Sequence, residues 1–331
     1  MRNPLRDRLN EIKNRLLLGG RLNEESRAKI EQLTVRGKSL QNLGRNEEAI
    51  ACFDEVLELD PRDAEAWNNK GNSLRSLGRH KEALVCYEEA LKIDPDSVAY
   101  LNNKSAVLGD MGCSRDSILY SDQAMKLDSD DSAALCNKAT ALAALGSHEE
   151  AICYFDKALE TDVQNASEHN AVIWANKANS LRALGRYRES VECCKEALKL
   201  DSSYLNAWII EGLSLSGLKL YGDAAGCFEE ALKLDPTNVS VLYDKGATHG
   251  NIGQYTEAAA CFDKLVILDA TMKDAWYGKA MSHDVLGHKE EAVSAYREFL
   301  RLPESAQDVE KTERANERLR ELGGQGTPPA E

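Results

Sequence analysis

Apolar and small residues recur along this chain with a period of 34, and inside each period with the spacing of two helices. The periods begin at Ile30, Ala64, Val98, Ser132, Ala171, Leu205, Val239 and Lys273. One step is longer, because five extra residues (about 166–170) sit between the fourth and fifth periods. Position 4 of the period is Leu33, Trp67, Leu101, Leu135, Trp174, Trp208, Leu242 or Trp276, which accounts for all four tryptophans. Position 8 is always small (Gly37, Gly71, Ser105, Ala139, Ala178, Gly212, Gly246, Ala280), and position 20 is Ala or Ser. Position 24 is aromatic at Phe53, Tyr87, Phe155, Phe228, Phe262 and Tyr296. At about 100° per residue, positions 4, 7, 8 and 11 share one face of a first helix, and positions 20, 24 and 27 share one face of a second. Small residues at 8 and 20 let the two backbones approach, and the ring at 24 fills the space beside them. A glycine near position 15 stops the first helix in all periods but the sixth.

A single hairpin of this kind cannot bury its apolar face, so neighbours must stack. The pattern W-x2-[KLE]-G, then A-x3-[FY]-x2-A, then P at Pro61, Pro95 and Pro236 resembles the tetratricopeptide repeat family. The resemblance covers residues 30–306. It implies an all-α fold: a right-handed superhelical α-solenoid of eight stacked 34-residue helix-turn-helix repeats with capping helices. The ends read as covers. Residues 1–29 are expected to form an N-terminal capping helix, with Leu5, Leu9, Ile12 and Leu16 at helical spacing among basic residues. Residues 307–322 are expected to form a C-terminal capping helix with Val309, Ala315 and Leu319 available to pack on the last repeat, and 323–331 a disordered tail.

Charge and chemistry narrow the function. Lys and Arg number 41 against 55 Asp and Glu, a net charge of −14. The repeats carry −16 and the first 29 residues +4. That balance disfavours nucleic acid and anionic lipid as partners. The longest purely apolar runs are five residues, and the N-terminus lacks the apolar core of a signal peptide, so no membrane span is expected. Nine cysteines without a CxxC spacing suit a reduced, cytoplasmic protein. Gly37-Lys38-Ser39 mimics the end of a phosphate-binding loop, but Gln32 stands where that loop needs glycine. The cysteines at position 23 (Cys52, Cys86, Cys193, Cys227, Cys261) and the histidines at position 11 (His249, His283) read as packing residues. No catalytic residue, metal site or cofactor is expected. Lys at position 7 and Asp at position 31 both recur, and each Lys is expected to reach the Asp that ends the preceding repeat.

The informative stripe is positions 2, 5, 6, 9, 12 and 13, opposite the packed face of the first helix. In the family that this chain resembles, the stripe lines a concave groove that holds extended peptides. Here position 6 is Asn69, Asn103, Asn137 and Asn176, with Asn72, Asn179, Arg75 and Arg182 alongside. This ladder resembles that of the repeat region of O-linked N-acetylglucosamine transferases, where it would offer donors and acceptors to a peptide backbone. A second reading is that each asparagine bonds its neighbours. In later repeats Ile209, Leu213, Tyr243, Tyr277 and Met281 fall on the same stripe. Apolar residues there need a cover, either a ligand or the C-terminal helix. The favoured reading is a groove that is polar in repeats 2–5 and apolar in repeats 6–8. A chaperone carboxylate clamp is unlike this chain: Asn72 and Asn103 match its asparagines, but Asn68, Ala133 and Asn137 stand at its basic positions. The sequence therefore points to a non-enzymatic adaptor for a basic or neutral protein or peptide, with Tyr243 and Tyr277 as anchors. The alternatives are a self-associating scaffold, hence a homo-oligomer, and a regulatory subunit of a separately encoded enzyme.

Overall fold

A computed structural model describes residues 23–161, 168–303 and 308–323. Among these residues there are helices and no strands. Two compact units meet in sequence between Ser147 and His148. The first contains α1 (Glu24–Asn42), α2 (Asn46–Leu59), α3 (Ala64–Ser76), α4 (His80–Ile93), α5 (Val98–Asp110), α6 (Ser114–Leu127) and α7 (Ser132–Ala144). The second contains α8 (His148–Thr161), α9 (Glu168–Ala183), α10 (Tyr187–Leu200), α11 (Leu205–Gly217), α12 (Tyr221–Leu234), α13 (Val239–Asn251), α14 (Tyr255–Leu268), α15 (Lys273–Val285), α16 (Lys289–Arg301) and α17 (Val309–Glu321). Within each unit every helix packs on the next, and the first helices of successive hairpins also touch, as α3 does α5 and α9 does α11. The chain is thus an all-α solenoid of stacked hairpins. Residues 1–22 of the capping helix expected over 1–29, residues 166 and 167 of the insertion, and the tail from residue 324 lie outside the described residues, while residues 24–29 open α1. The last three inserted residues, 168–170, open α9.

The turns follow from local chemistry. At the end of α1, Gly44 takes φ 72°, and the Arg45 N–H donates to the Leu40 carbonyl at 2.9 Å, closing the helix end. Lys219 holds the equivalent place after α11 at φ 61°, the one non-glycine residue with positive φ among those described. Asp63 and Asp131 accept the N–H groups of Ala66 and Ala134 at 2.8 and 2.7 Å, capping α3 and α7. Three of the position-4 tryptophans reach back to the preceding loop: Trp67 donates to the Pro61 carbonyl at 3.1 Å, Trp208 to that of Ser202 and Trp276 to that of Ala270.

Hairpin cores are matched pairs at positions 8 and 24. A Cβ on Gly37, Gly71, Gly212 or Gly246 would lie 2.6–2.9 Å from the ring of Phe53, Tyr87, Phe228 or Phe262. Where position 8 is larger, position 24 changes with it. Ala178 sits with Cys194, and Ser105 bonds Ser121 at 2.7 Å between their hydroxyls. The third hairpin, the least regular in sequence, thus closes through a buried serine cluster of Ser105, Ser117 and Ser121. The last repeat departs from this, with Ala280 beside the full ring of Tyr296, and the fourth repeat likewise carries Ala139 and Phe155 at these two positions.

One expectation is corrected. The position-7 lysines do not pair with the position-31 aspartates. They reach position 25 of the preceding second helix: Lys70 to Asp54 at 2.6 Å, Lys104 to Glu88 at 3.1 Å, Lys138 to Asp122 at 2.7 Å, Lys177 to Asp156, Lys245 to Glu229 at 3.5 Å and Lys279 to Asp263 at 2.8 Å. The position-31 aspartates serve their own turns. Asp60, Asp128, Asp201, Asp235 and Asp269 each accept the N–H two residues later at 2.8–3.1 Å.

Candidate functional site: a polar cleft on the first helices

The first unit presents an open polar cleft of about 480 Å³, lined by Asn72, Arg75, Ser76, Asn103 and Asp110. Asn72 and Arg75 stand one turn apart on α3, and Asn103 and Asp110 two turns apart on α5. Arg75 donates through Nε to Asp110 at 2.5 Å, which bridges the two helices along the cleft. Tyr87, inside the hairpin, donates its hydroxyl to Asn72 Oδ1 at 2.8 Å and fixes that amide from below. Asn69, on the same helix, is 8 % exposed, and its side-chain Nδ2 has no hydrogen-bond partner. A buried donor left unpaired costs free energy.

The asparagine ladder is partly used within the protein. Asn103 Nδ2 donates to Asn68 Oδ1 at 2.8 Å, and Asn137 Nδ2 to the Asn102 carbonyl at 3.1 Å. Gln41 Nε2 donates to the Asn69 carbonyl at 2.8 Å. These contacts revise the stripe. It was read as a face that does not pack, yet positions 5, 9 and 12 of one first helix meet positions 2, 6, 10 and 13 of the next. Lys38 with Glu65, and Gln41 with Asn69 and Ser73, show the same register. What faces outward is narrower than a helical wheel implies.

In the second unit Asn176 is half-buried, and exposed Asn179 accepts from Arg182 at 3.0 Å. Asp244, at position 6 of its repeat, has its carboxyl pushed up by burial, against the pull of Arg182. The apolar members pack rather than stand open. Ile209 and Leu213 lean on the cluster of Leu215, Phe228 and Val241. Tyr243 stands edge-on to Phe262 at 6.1 Å, and burial raises its phenol. Tyr277 lies 5.1 Å from Phe299 and 6.4 Å from Tyr296, with Lys311 of α17 5.9 Å above its ring. Met281 accepts from the Tyr296 hydroxyl at 3.3 Å and joins the cluster that buries Ala315 and Leu319 of α17. Of the two covers the sequence leaves open for Tyr277 and Met281, the helix α17 packs into the cluster they join. Ser76, Asp110, Asp274, Asp284, Lys311 and Arg318 went unnoticed in the sequence. The pairing of position 12 with position 13 of the next repeat, Arg75 with Asp110, was the available signal.

Other reactive side chains sit in structural surroundings. Cys86 and Cys136 are buried thiols, pushed up to about 11 by desolvation. His249 bonds Gln254 at 2.7 Å, and His283 lies between His288 and Asp263 at 3.1 and 3.2 Å.

Stacked helical hairpins with position-specific small and aromatic residues, carrying a polar surface cleft, define a helical-repeat protein. This chain belongs to the tetratricopeptide repeat family. Family profiles described as tetratricopeptide repeat match residues 64–97, 132–164, 171–204, 227–260 and 273–305, and one described as TPR repeat matches 37–74. Together they cover more than half of the chain. Among solved structures the chain resembles the APC/C hetero-tetramer Cut9–Hcn1, with a TM-score of 0.63 at 15 % identity over 86 % of this chain and 55 % of that one. It also resembles a tetratricopeptide repeat protein from Parabacteroides merdae, with a TM-score of 0.57 at 15 % identity over 77 % of this chain and 99 % of that one. At such identities the likeness is one of fold. No curated protein matches the chain in sequence.

Proposed function

We propose that the protein is a non-enzymatic, cytoplasmic adaptor that binds an extended peptide of a partner protein through the polar cleft of α3 and α5. The observation that carries this reading is an open cleft lined by amide, guanidinium and carboxylate groups, Asn72, Asn103, Arg75 and Asp110. Amides supply donors and acceptors suited to a peptide backbone, and the Arg75–Asp110 pair can open to engage one charged side chain. Asn137 continues the same line on α7, and Asn176, Asn179 and Arg182 are the corresponding candidates of the second unit. An acidic chain favours a basic or neutral peptide over an acidic one. The absence among the described residues of any helix long and apolar enough to cross a membrane is consistent with this reading.

The test is quantitative capture of partners by the wild type and by the variant Asn72→Ala/Arg75→Ala/Asn103→Ala. These residues lie at the surface of the cleft, so the helices should still form. Selective loss of particular partners from the variant supports the assignment. An unchanged partner set removes the cleft from the account.

A further inference from the structure

Tryptophan at position 4 has a recurrent seat in this fold. Trp67 packs on the clusters that hold Leu57 of the preceding repeat and Cys86 of its own second helix. Its Nε1 donates to the Pro61 carbonyl at 3.1 Å, and Lys70 lies 5.5 Å from the ring centroid. Trp208 and Trp276 make the same bond to Ser202 and Ala270 at 3.0 and 2.9 Å. Lys177 and Lys279 stand 5.1 and 5.6 Å from the rings of Trp174 and Trp276. Around Trp67 the seat consists of an apolar wall from position 28 of the preceding repeat, a backbone carbonyl at position 32, a lysine at position 7 and the residue at position 23. Such a seat suits an indole, which is flat and apolar and carries one N–H donor.

The third repeat keeps the seat but has Leu101 at position 4. An open notch of about 350 Å³ lies there, bounded by Leu91, Pro95, Leu101, Lys104 and Tyr120. Leu91 stands at position 28, Pro95 at position 32, Lys104 at position 7 and Tyr120 at position 23, the same positions that surround Trp67. With leucine at position 4, the Pro95 carbonyl lacks the indole donor that Pro61, Ser202 and Ala270 receive. Pro95 is exposed where Pro61 is half-buried. Tyr120 stands in place of the cysteine of the second repeat and brings one ring back from α6, yet the notch stays open beside it. Lys104 is 8 % exposed, pairs with Glu88 at 3.1 Å and lies 4.2 Å from the Tyr120 centroid. A cation and an aromatic wall therefore already line the notch.

We propose that this notch between α4, α5 and α6 is a docking site for a tryptophan side chain presented by a partner protein. The indole packs against Leu101 and Tyr120, donates its N–H to the Pro95 carbonyl and lies beside Lys104. The partner thus supplies from outside the ring that Trp67 supplies from within, as a single aromatic anchor. A second copy of this chain offers no free indole, because its four tryptophans all stand at position 4, half-buried in their own seats. The notch shares no lining residue with the cleft of α3 and α5. It goes beyond the proposed function and stands even if that cleft binds nothing.

The probe is N-acetyl-fluorotryptophanamide, followed by fluorine NMR as the full chain is added. The wild type should broaden its resonance saturably. Leu101→Trp, which fills the notch from within, should lower probe affinity at least tenfold. Leu101→Trp/Tyr120→Cys restores the residues of the second repeat at both positions; it is the second variant should the first fold poorly, and it should lose the probe to the same extent. Methylating the indole nitrogen of the probe removes the donor to Pro95 and should weaken binding at least threefold. The cleft variant Asn72→Ala/Arg75→Ala/Asn103→Ala should bind the probe like wild type. The inference is overturned if the wild type shows no saturable broadening, if a filled chain binds as well as wild type, or if the methylated probe binds as well as its parent. Loss of the probe in the cleft variant alone would overturn it in favour of the cleft.

Discussion

Gly71 offers the sharpest test of the packing that builds the array. A methyl added there would lie 2.6 Å from Cε1 of Tyr87, where ordinary contact begins near 3.4 Å, so the ring would have to retreat by about 0.8 Å. It has little room to do so. Tyr87 is fully buried, its hydroxyl is bonded to Asn72 at 2.8 Å, and Leu74, Val107 and Ile50 pack around it. Overpacking of this kind costs about 1–3 kcal/mol. Helix propensity acts the other way, favouring alanine over glycine by about 1 kcal/mol. The net expectation is destabilisation of up to about 2 kcal/mol for Gly71→Ala. Gly226 is the internal control: it is mid-helix and exposed, with nothing within 4 Å of an added Cβ. Gly226→Ala should therefore stabilise by about 0.5–1 kcal/mol. Because a repeat array need not unfold in one step, urea melts followed by circular dichroism should be paired with native-state hydrogen exchange in α3 and α4. If Gly71→Ala melts at or above wild type, or behaves like Gly226→Ala, the matched-pair account of positions 8 and 24 is wrong.

Three further outcomes follow from the same structure. At the fifth-to-sixth junction the charges are reversed, with Lys195 at position 25 and Glu211 at position 7; Lys195 forms its ion pair with Glu192 at 3.0 Å and acts on Glu211 through its charge. Lys195→Glu and Glu211→Lys should each destabilise, the double variant should return close to wild type, and a double-mutant cycle should give a coupling of about 0.5–2 kcal/mol. Strict additivity would contradict an electrostatic coupling between the two. Burial pushes the Glu211 carboxyl above its ordinary value. A folded value above the unfolded one means that this site adds stability as pH falls from neutral towards the ordinary carboxylate range and loses it as pH rises. The melting-temperature difference between Glu211→Gln and wild type should thus be positive at pH 7 and shrink by pH 5, and a difference constant with pH would refute this. Exposed Cys153 should be alkylated first in the native protein at pH 8, while buried Cys86, Cys136 and Cys194, their thiols raised by desolvation, resist until denaturant is added. Mass spectrometry of the adducts decides it.

The hairpins were legible because their constraints repeat: a small residue at position 8 and a ring at 24 announce themselves when they recur. What lay between repeats was harder to read. Position 25 mixes Asp54, Glu88, Asp122, Asp156, Glu229 and Asp263 and is broken by Lys195, so this column is less uniform than the position-31 aspartates, and the lysines were matched to the wrong partners. The outward stripe was overestimated for a related reason. A helical wheel identifies the side away from a helix's own hairpin partner, but not the part that the next first helix covers, as Asn103 on Asn68 does. At the C-terminal end, Ala315 and Leu319 could be picked out by spacing, whereas Arg318 with Asp284 joins residues 34 apart on elements of different sequence character.

The central claim is that partners dock on the polar cleft of α3 and α5. It is tested most directly by site-specific photo-crosslinking from the full chain, with the photoreactive residue placed at Asn72, at Asn103 or, as a control, at exposed Val85 on α4. The account predicts crosslinks to the same partner from Asn72 and Asn103 and none from Val85. Crosslinks from Val85 alone, or none from either asparagine while the partner still co-purifies, would contradict it.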